Sequence, residues 1–160
     1  MEPHACFACG ELNTHGIHLR LHADPAGCWT ELALESRFQG WEEVVHGGIV
    51  CTLLDEVMAW SVIAQGTWGL TARMGVDFKR PVLVGHPIRA EGRVVDANRR
   101  VFHTAGSIRD LETGETLATG EATFVAVPAA RQAELRARYR LDRAPTEAAT
   151  ATPASRSDRP

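Results

Sequence analysis

The sequence lacks a strong excess of charge of either sign, and it lacks a long uninterrupted apolar run. Its 160 residues carry a formal net charge of −3, from 17 Lys and Arg against 20 Asp and Glu. A strongly basic surface is typical of nucleic-acid-binding domains, so this balance gives no reason to expect such a partner. No uninterrupted apolar run reaches the roughly 18 residues that a membrane-spanning helix needs. We therefore expect neither nucleic acid nor a membrane as a partner.

Cysteine is also scarce, with four residues in all. The first residues, MEPHACFACG, show no basic stretch followed by an apolar one, as a secretory signal would. Four cysteines without such a signal indicate reduced thiols and a cytoplasmic location rather than a disulfide framework.

The C-x-x-C pair Cys6 and Cys9 raises the question of a metal site. His4, His15 and His18 lie nearby, but no second C-x-x-C follows. A zinc site needs about four ligands, so we predict no metal here and no cofactor. The segment is expected to be a loop that packs beside the functional site.

The alternation of apolar runs and turn residues predicts one α+β domain with short flanking segments. Two short strands, one long helix and about four further antiparallel strands follow one another along the chain. Alanine, threonine, proline and serine dominate the C-terminal end, which predicts disorder. The predicted parts are an N-terminal segment (1–16), a main domain (17–128) with its first strands at 17–22 and 28–35 and its helix near 47–65, a surface helix (129–142) and a disordered tail (143–160).

The long helix is informative because it has almost no polar side. Between Ile49 and Ala64 the only charged residues are Asp55 and Glu56. A helix lying on one face of a sheet shows an apolar stripe about 100° wide, whereas this helix is apolar nearly all round and is expected to be buried nearly all round. A curled antiparallel sheet of five to six strands wrapped around one central helix, the hotdog fold, satisfies this pattern. Its sheet edges usually need a second subunit.

Two stretches carry a family resemblance: FQGWEEVVHGGIVCTLLDEVMAW, and TARMGVDFKRPV further on. Together they resemble the hotdog acyl-CoA thioesterases of the phenylacetate-degradation (PaaI-like) type. The preceding CFACGELNTHGIHL resembles an N-terminal segment of many of those enzymes. The ordered set of His-Gly-Gly, an acid nine positions after the His, and Lys-Arg-Pro is the specific part.

The chemistry of thioester hydrolysis suits the start of this helix. Negative charge develops on the carbonyl oxygen, and a helix N-terminus offers free backbone N–H groups and the positive end of the dipole. Glycine lets a substrate approach that backbone closely. Gly47 and Gly48 are therefore candidates for an oxyanion site, and the resemblance assigns the role to the Gly47 amide. Two glycines taken alone would be better explained by a tight helix entry that needs small residues against the sheet.

Asp55 is the predicted catalytic acid, which attacks the thioester carbonyl or deprotonates an attacking water. It shares a helix stripe with Gly48 and Thr52, whereas its competitor Glu56 lies about 100° further round. The resemblance implies that Thr71 holds the carboxylate or the water.

The resemblance also implies supporting residues around the helix start. His46 is expected to shape the oxyanion loop rather than act as a base, and Gln39 is the candidate for an upstream amide, with Gly40 as the alternative.

Binding of coenzyme A is expected to involve Lys79 and Arg80, which end a strand before Pro81. In the resembling family such residues lie near the phosphates, and simple charge pairing explains why. Solvent-exposed strand-end charges with no ligand are the alternative. Trp41 is a candidate to line the substrate pocket.

We expect from these residues a thioesterase acting on a small or medium acyl-CoA, built as a homodimer or homotetramer. Two alternatives stay open: a non-catalytic acyl-CoA-binding hotdog protein, and a hotdog hydratase or dehydratase.

Overall fold

The computed structural model describes residues 3–139, so the predicted tail at 143–160 and the last residues of the predicted 129–142 helix lie outside the described residues. The described part contains six strands, two α-helices and one 3-10 turn. They are β1 (His22–Asp24), β2 (Gly27–Ala33), the 3-10 turn (Ser36–Phe38), α1 (Gly47–Ala64), β3 (Gly69–Phe78), β4 (Pro87–Asn98), β5 (Val101–Asp110), β6 (Thr116–Ala126) and α2 (Ala129–Tyr139).

All six strands form one antiparallel sheet in the order β1-β2-β4-β5-β6-β3. The sheet curls around α1, which packs against every strand of it. The fold class predicted from the sequence is confirmed. Strand β3 stands at one edge of the sheet, directly after α1 in the chain, so the helix and this edge strand meet along one side of the molecule.

The core lies between α1 and the concave face of the sheet. Its fully buried side chains come from α1 and from the inward positions of β4, β5 and β6, namely Leu53, Leu54, Val57, Met58, Ile88, Ile108 and Phe124. At Gly92 the sheet touches the helix backbone: an added Cβ would lie 2.7 Å from the Met58 nitrogen and the Val57 carbonyl oxygen. Glycine is therefore required there for the helix to pack this closely.

The prediction that α1 is buried nearly all round is wrong for a single chain. One face is buried, while Ile49, Thr52, Asp55 and Ala59 are half-buried. The reason is geometric, because one curled sheet covers only one side of a helix. By length and composition alone, the 18 residues of α1, with a mean hydropathy of 1.5, would suffice to cross a membrane. A core helix has the same properties.

The predicted strand at 17–22 is also wrong, since β1 begins only at His22. Ile17 and Leu19 are buried as the alternating pattern suggested. Their backbone N–H groups, however, donate to the carbonyls of Phe7 and Ala8 in the N-terminal segment. His18 has a φ of 60°, a left-handed conformation that interrupts a strand.

A β-bulge in β3 determines which way Thr71 points. The register with β6 shifts between Thr71 and Arg73, so one extra residue stands on β3 at this place. Thr71 pairs with the buried Phe124, and opposed residues of an antiparallel pair share one face. Without the bulge, strict alternation from Met74 would turn Thr71 away from α1.

Candidate active site

The N-terminus of α1 presents one free backbone amide. The side chain of the N-cap residue His46 accepts a hydrogen bond at Nδ1 from the Gly48 N–H at 2.9 Å. Within the described part of the chain, the Gly47 N–H donates to no acceptor. His46 thus caps one orphan donor and leaves the Gly47 N–H, at the positive end of the helix dipole, available to an anion.

An aromatic side chain that the sequence analysis missed stands beside this amide. A Cβ added to Gly47 would lie 3.6 Å from the ring of Phe78, the last residue of β3, and Phe78 is 57% exposed. The ring forms an apolar wall next to the Gly47 amide. No sequence signal marks Phe78 as a site residue, because apolar residues are common at strand ends and only the fold brings this one to the helix start.

The structure brings Asp55 and Thr71 together. The Thr71 hydroxyl donates to Asp55 Oδ1 at 2.7 Å, a short, charge-assisted distance. Asp55 is half-buried rather than fully buried as the sequence suggested, and Thr71 is exposed in the single chain. One carboxylate oxygen is fixed by this bond, so the other oxygen can receive a proton or reach a carbonyl carbon.

Glu56, the competing acid, faces a different part of the molecule. Its Oε1 accepts a hydrogen bond from Trp60 Nε1 at 3.0 Å, one helical turn further on. Burial raises the pKa of Glu56 above its usual range, and the hydrogen bonds from Cys9 and Trp60 oppose that rise. Asp55 therefore faces β3, whereas Glu56 faces the N-terminal segment.

Cys6 and Cys9 lie next to Glu56, which the sequence analysis did not foresee. One side-chain atom of each, Sγ or a carboxylate oxygen, lies within 4.8 Å of the others. The hydrogen bond from the Cys9 thiol lowers the pKa of Cys6 to about 5, and the same contact raises the pKa of Cys9.

Gln39 and His46 belong to one loop with a defined shape. The Gln39 side chain accepts from the Glu43 N–H at 3.1 Å, and Glu43 has a φ of 63°. Gln39 and His46 share a shallow groove of about 410 Å³ with Phe7 and His15. The N-terminal segment therefore contributes two side chains to the groove beside the helix start.

Lys79, Arg80 and Trp41 lie on the surface of the single chain. Lys79 pairs with Asp77 and Arg80 with Glu115, each at 3.0 Å. Both pairs are exposed, and an exposed ion pair is worth about 0–1 kcal/mol, so a phosphate could displace either carboxylate. Trp41 is 85% exposed and lines none of the grooves described for this chain.

A second groove, of about 830 Å³ and so larger than the one beside the helix start, is lined by residues of the sheet. It is lined by charged residues that neutralise one another: Arg89 contacts Glu31 at 2.9 Å and Glu91 at 3.4 Å. None of the residues predicted to be catalytic lines it. The candidate active site is therefore placed at α1, where the predicted catalytic residues lie, and not in this larger groove.

The two ends of the candidate site are far apart within one chain. Gly47 and Asp55 are separated by eight residues of α1, or about 12 Å along the axis at 1.5 Å per residue. An oxyanion donor must lie about 3 Å from the carbonyl oxygen, and a nucleophile about 3–3.5 Å from the carbonyl carbon. The axial separation of the two backbone positions is therefore longer than the span from an oxyanion donor to an attacking atom across one carbonyl group.

Known proteins resemble this chain in sequence and in fold. A protein of Schizosaccharomyces pombe, described as uncharacterized, is 27% identical over 78 residues, which are 48% of this chain and 45% of that protein. The crystal structure of a thioesterase superfamily protein superposes with a TM-score of 0.68 at 27% identity, covering 72% of this chain and 60% of that one. The matched part therefore spans less than two thirds of either relative.

Two bacterial structures share the fold at lower identity. The Escherichia coli PaaI protein, from the phenylacetic acid degradation operon, has a TM-score of 0.64 at 17% identity, covering 68% of this chain and 83% of that one. A hypothetical thioesterase of Streptococcus pneumoniae, solved with coenzyme A, has a TM-score of 0.64 at 16% identity, covering 68% and 84%.

A six-stranded antiparallel sheet curled around one helix, shared with these structures, defines a hotdog-fold protein. Residues 42–117 match the family model of the thioesterase superfamily. The chain is therefore similar to the thioesterase superfamily over residues 42–117, in agreement with the resemblance in its sequence.

Proposed function

We propose that this protein is an acyl-CoA thioesterase with Asp55 as its catalytic acid and the Gly47 amide as its oxyanion donor. The hydrogen bond between Thr71 and Asp55 is the observation that carries the proposal. A bulge in β3 and a carboxylate in an apolar helix are both costly features for folding alone. Together they hold a half-buried carboxylate in one orientation.

The reaction follows from the roles of these groups. Asp55 takes a proton from a water that attacks the thioester carbon, or attacks that carbon itself. The carbonyl oxygen becomes an anion, which the Gly47 N–H stabilises by about 3–4 kcal/mol if it acts like other oxyanion donors. The carbon–sulfur bond then breaks, and coenzyme A leaves as a thiolate. Where Asp55 acts as the base, the acid forms directly and the thiolate takes up the proton that Asp55 accepted. Where Asp55 attacks, the acyl group forms an anhydride with Asp55, and a water molecule hydrolyses it to the free acid and the Asp55 carboxylate and supplies the proton to the thiolate. Thr71 keeps the carboxylate aligned through these steps.

The structural neighbour that was solved with coenzyme A supports this ligand class. Lys79 and Arg80, at the end of β3, are proposed to receive the coenzyme A phosphates by exchanging their present carboxylate partners. Phe78, between these cations and Gly47 in sequence and space, is suited to contact the pantetheine or acyl chain.

The active site is proposed to form between two chains. The separation of Gly47 and Asp55 along α1, about 12 Å, supports a site to which each chain contributes one of the two groups. The free edge of β3 offers ten residues for strand pairing, and exposed long edges usually find a partner. A two-fold axis beside β3 and the half-buried side of α1 would set Gly47 of one chain opposite Asp55 of the other and give two equal sites.

A thiol-release assay over a panel of acyl-CoA substrates tests the proposed activity. Wild type should release coenzyme A thiol, and Asp55→Asn, which is nearly isosteric, should lose about a thousandfold or more in kcat. The same change at Glu56 should cost far less. Hydrolysis that persists in Asp55→Asn but disappears in Glu56→Gln would reverse the assignment, and absence of thiol release from every substrate would remove the function.

A further inference from the structure

The Cys6–Cys9–Glu56 cluster unites two thiols and one carboxylate outside the proposed active site. The thiols come from the N-terminal segment and the carboxylate from the middle of α1, and one donor atom of each lies within 4.8 Å of the others. All three residues are half-buried. Donor atoms of a tetrahedral zinc site with ordinary bond lengths lie about 3.6–3.8 Å apart. Side-chain rotations that move the donor atoms by about 1 Å would therefore bring them to the spacing that a bound ion requires.

The backbone around the two cysteines is built to hold the thiols in place. The Gly10 N–H donates to the Cys6 carbonyl at 3.0 Å, and a Cβ on Gly10 would lie 2.3 Å from the Cys6 nitrogen. Only glycine can close this turn. The turn keeps Cys6 and Cys9 at a fixed separation in the loop. A cysteine binds metal as its thiolate.

Glu56 has no positively charged side-chain partner among the described residues. Trp60 Nε1 donates to Oε1, and within residues 3–139 no lysine or arginine forms an ion pair with Glu56. A half-buried carboxylate beside two thiols is costly without a counter-charge.

His4 completes the surroundings of the cluster. It is buried, its Nδ1 accepts from the Cys6 N–H at 3.3 Å, and its Nε2 lies 4.0 Å from the Cys9 sulfur. A neutral imidazole that accepts at Nδ1 carries its proton on Nε2. His4 is therefore a positioning residue that donates toward the Cys9 sulfur, and not a ligand.

We propose that Cys6, Cys9 and Glu56 bind a Zn²⁺ ion that fastens the N-terminal segment to α1. Water occupies the fourth position. Thiolate and carboxylate oxygen are both ordinary zinc ligands, and C-x-x-C is a common ligand spacing. The site was not predicted from the sequence because its third ligand lies about fifty positions away on a helix. It is independent of the proposed thioesterase function.

Cobalt substitution tests the site on the full chain without reference to activity. Reduced, chelator-treated protein is titrated with Co²⁺, and the thiolate-to-cobalt charge-transfer absorption is recorded. We expect saturation at about one ion per chain, displacement by Zn²⁺, and a melting temperature raised by roughly 5–10 °C when Zn²⁺ exceeds its Kd about a hundredfold. Absence of the absorption, or formation of a Cys6–Cys9 disulfide in place of metal binding, overturns the proposal.

Variants then identify the ligands. Cys6→Ser and Cys9→Ser should each abolish the charge-transfer absorption, and Glu56→Gln should weaken binding by about tenfold or more. His4→Ala should weaken binding by about 10–100-fold while leaving the absorption intact at saturation. Cys51→Ser is the matched control, because Cys51 is a half-buried thiol outside the cluster, and should bind like wild type. Wild-type binding by Cys6→Ser, or equal loss in Cys51→Ser, would contradict the assignment.

Discussion

Removing the Thr71 hydroxyl is the most informative single change near the proposed nucleophile. Thr71→Val keeps the shape of the side chain and removes the donor of the 2.7 Å bond to Asp55 Oδ1. A hydrogen bond to a charged acceptor is worth about 1.5–3 kcal/mol. Thr71 is exposed in the single chain, so the lower part of that range, about 1.5–2 kcal/mol, is appropriate. At about 1.36 kcal/mol per factor of ten, kcat should fall about 10–30-fold.

The assay is release of coenzyme A thiol under saturating acyl-CoA, with the melting temperature measured in parallel. Valine fits a strand as well as threonine does, so stability should fall by no more than about 1.5–2 kcal/mol, the value of the lost hydrogen bond, and the variant should remain folded. Thr71→Ser is the control and should keep most of the activity, because it keeps the hydroxyl. If Thr71→Val retains wild-type kcat while Asp55→Asn is inactive, the hydrogen bond has no role in catalysis and our reasoning fails.

Two further predictions concern packing and coenzyme A. Gly92→Ala should cost about 3 kcal/mol, or roughly 6–12 °C in melting temperature, because its Cβ would meet helix backbone at 2.7 Å. Gly75→Ala, with no atom within 4 Å of its Cβ, should be nearly neutral, and equal losses would contradict the packing argument. Arg80→Ala should raise KM about 2–10-fold with little change in kcat, since remote phosphate contacts are mostly uniform binding. Glu115→Gln, which releases Arg80 from its ion pair, should not raise KM, and an unchanged KM in Arg80→Ala would remove this residue from the site.

The sequence was a good guide wherever local pattern determines structure. The apolar run with only two acids predicted a central helix, which is observed at Gly47–Ala64. Turn-forming residues stand at the hairpins that join β4 to β5 and β5 to β6. Arg99 and Gly114 at these turns have positive φ values.

Features that depend on contacts between distant segments could not be predicted. The strand expected at 17–22 is absent because Ile17 and Leu19 bond to the N-terminal segment instead of to a strand. The bulge that turns Thr71 toward α1 leaves no mark in residue types. The ion pair between Arg80 and Glu115 joins positions 35 apart, and only the sheet brings them together.

The sequence predicted the part of the candidate site that lies within one segment of the chain. His46, Gly47 and Asp55 stand in one segment whose spacing has chemical meaning. Other contacts join segments that are distant in sequence: Phe78 lies beside Gly47, and Glu56 lies beside the two cysteines. Only the packed structure reveals these contacts, because neither Phe78 nor Glu56 stands at a sequence spacing that indicates its neighbour.

Subunit complementation tests the central claim, a thioesterase site shared by two chains, most directly. Asp55→Ala lacks the acid, and Gly47→Pro lacks the donating amide, so each homodimer should be inactive once its fold is verified by circular dichroism. After subunit exchange is demonstrated with differently tagged chains, each mixed dimer should contain one site with both groups intact. We predict thiol release that rises with the fraction of mixed dimers, to about half the wild-type rate per dimer. No recovered activity despite complete exchange would contradict the two-chain site.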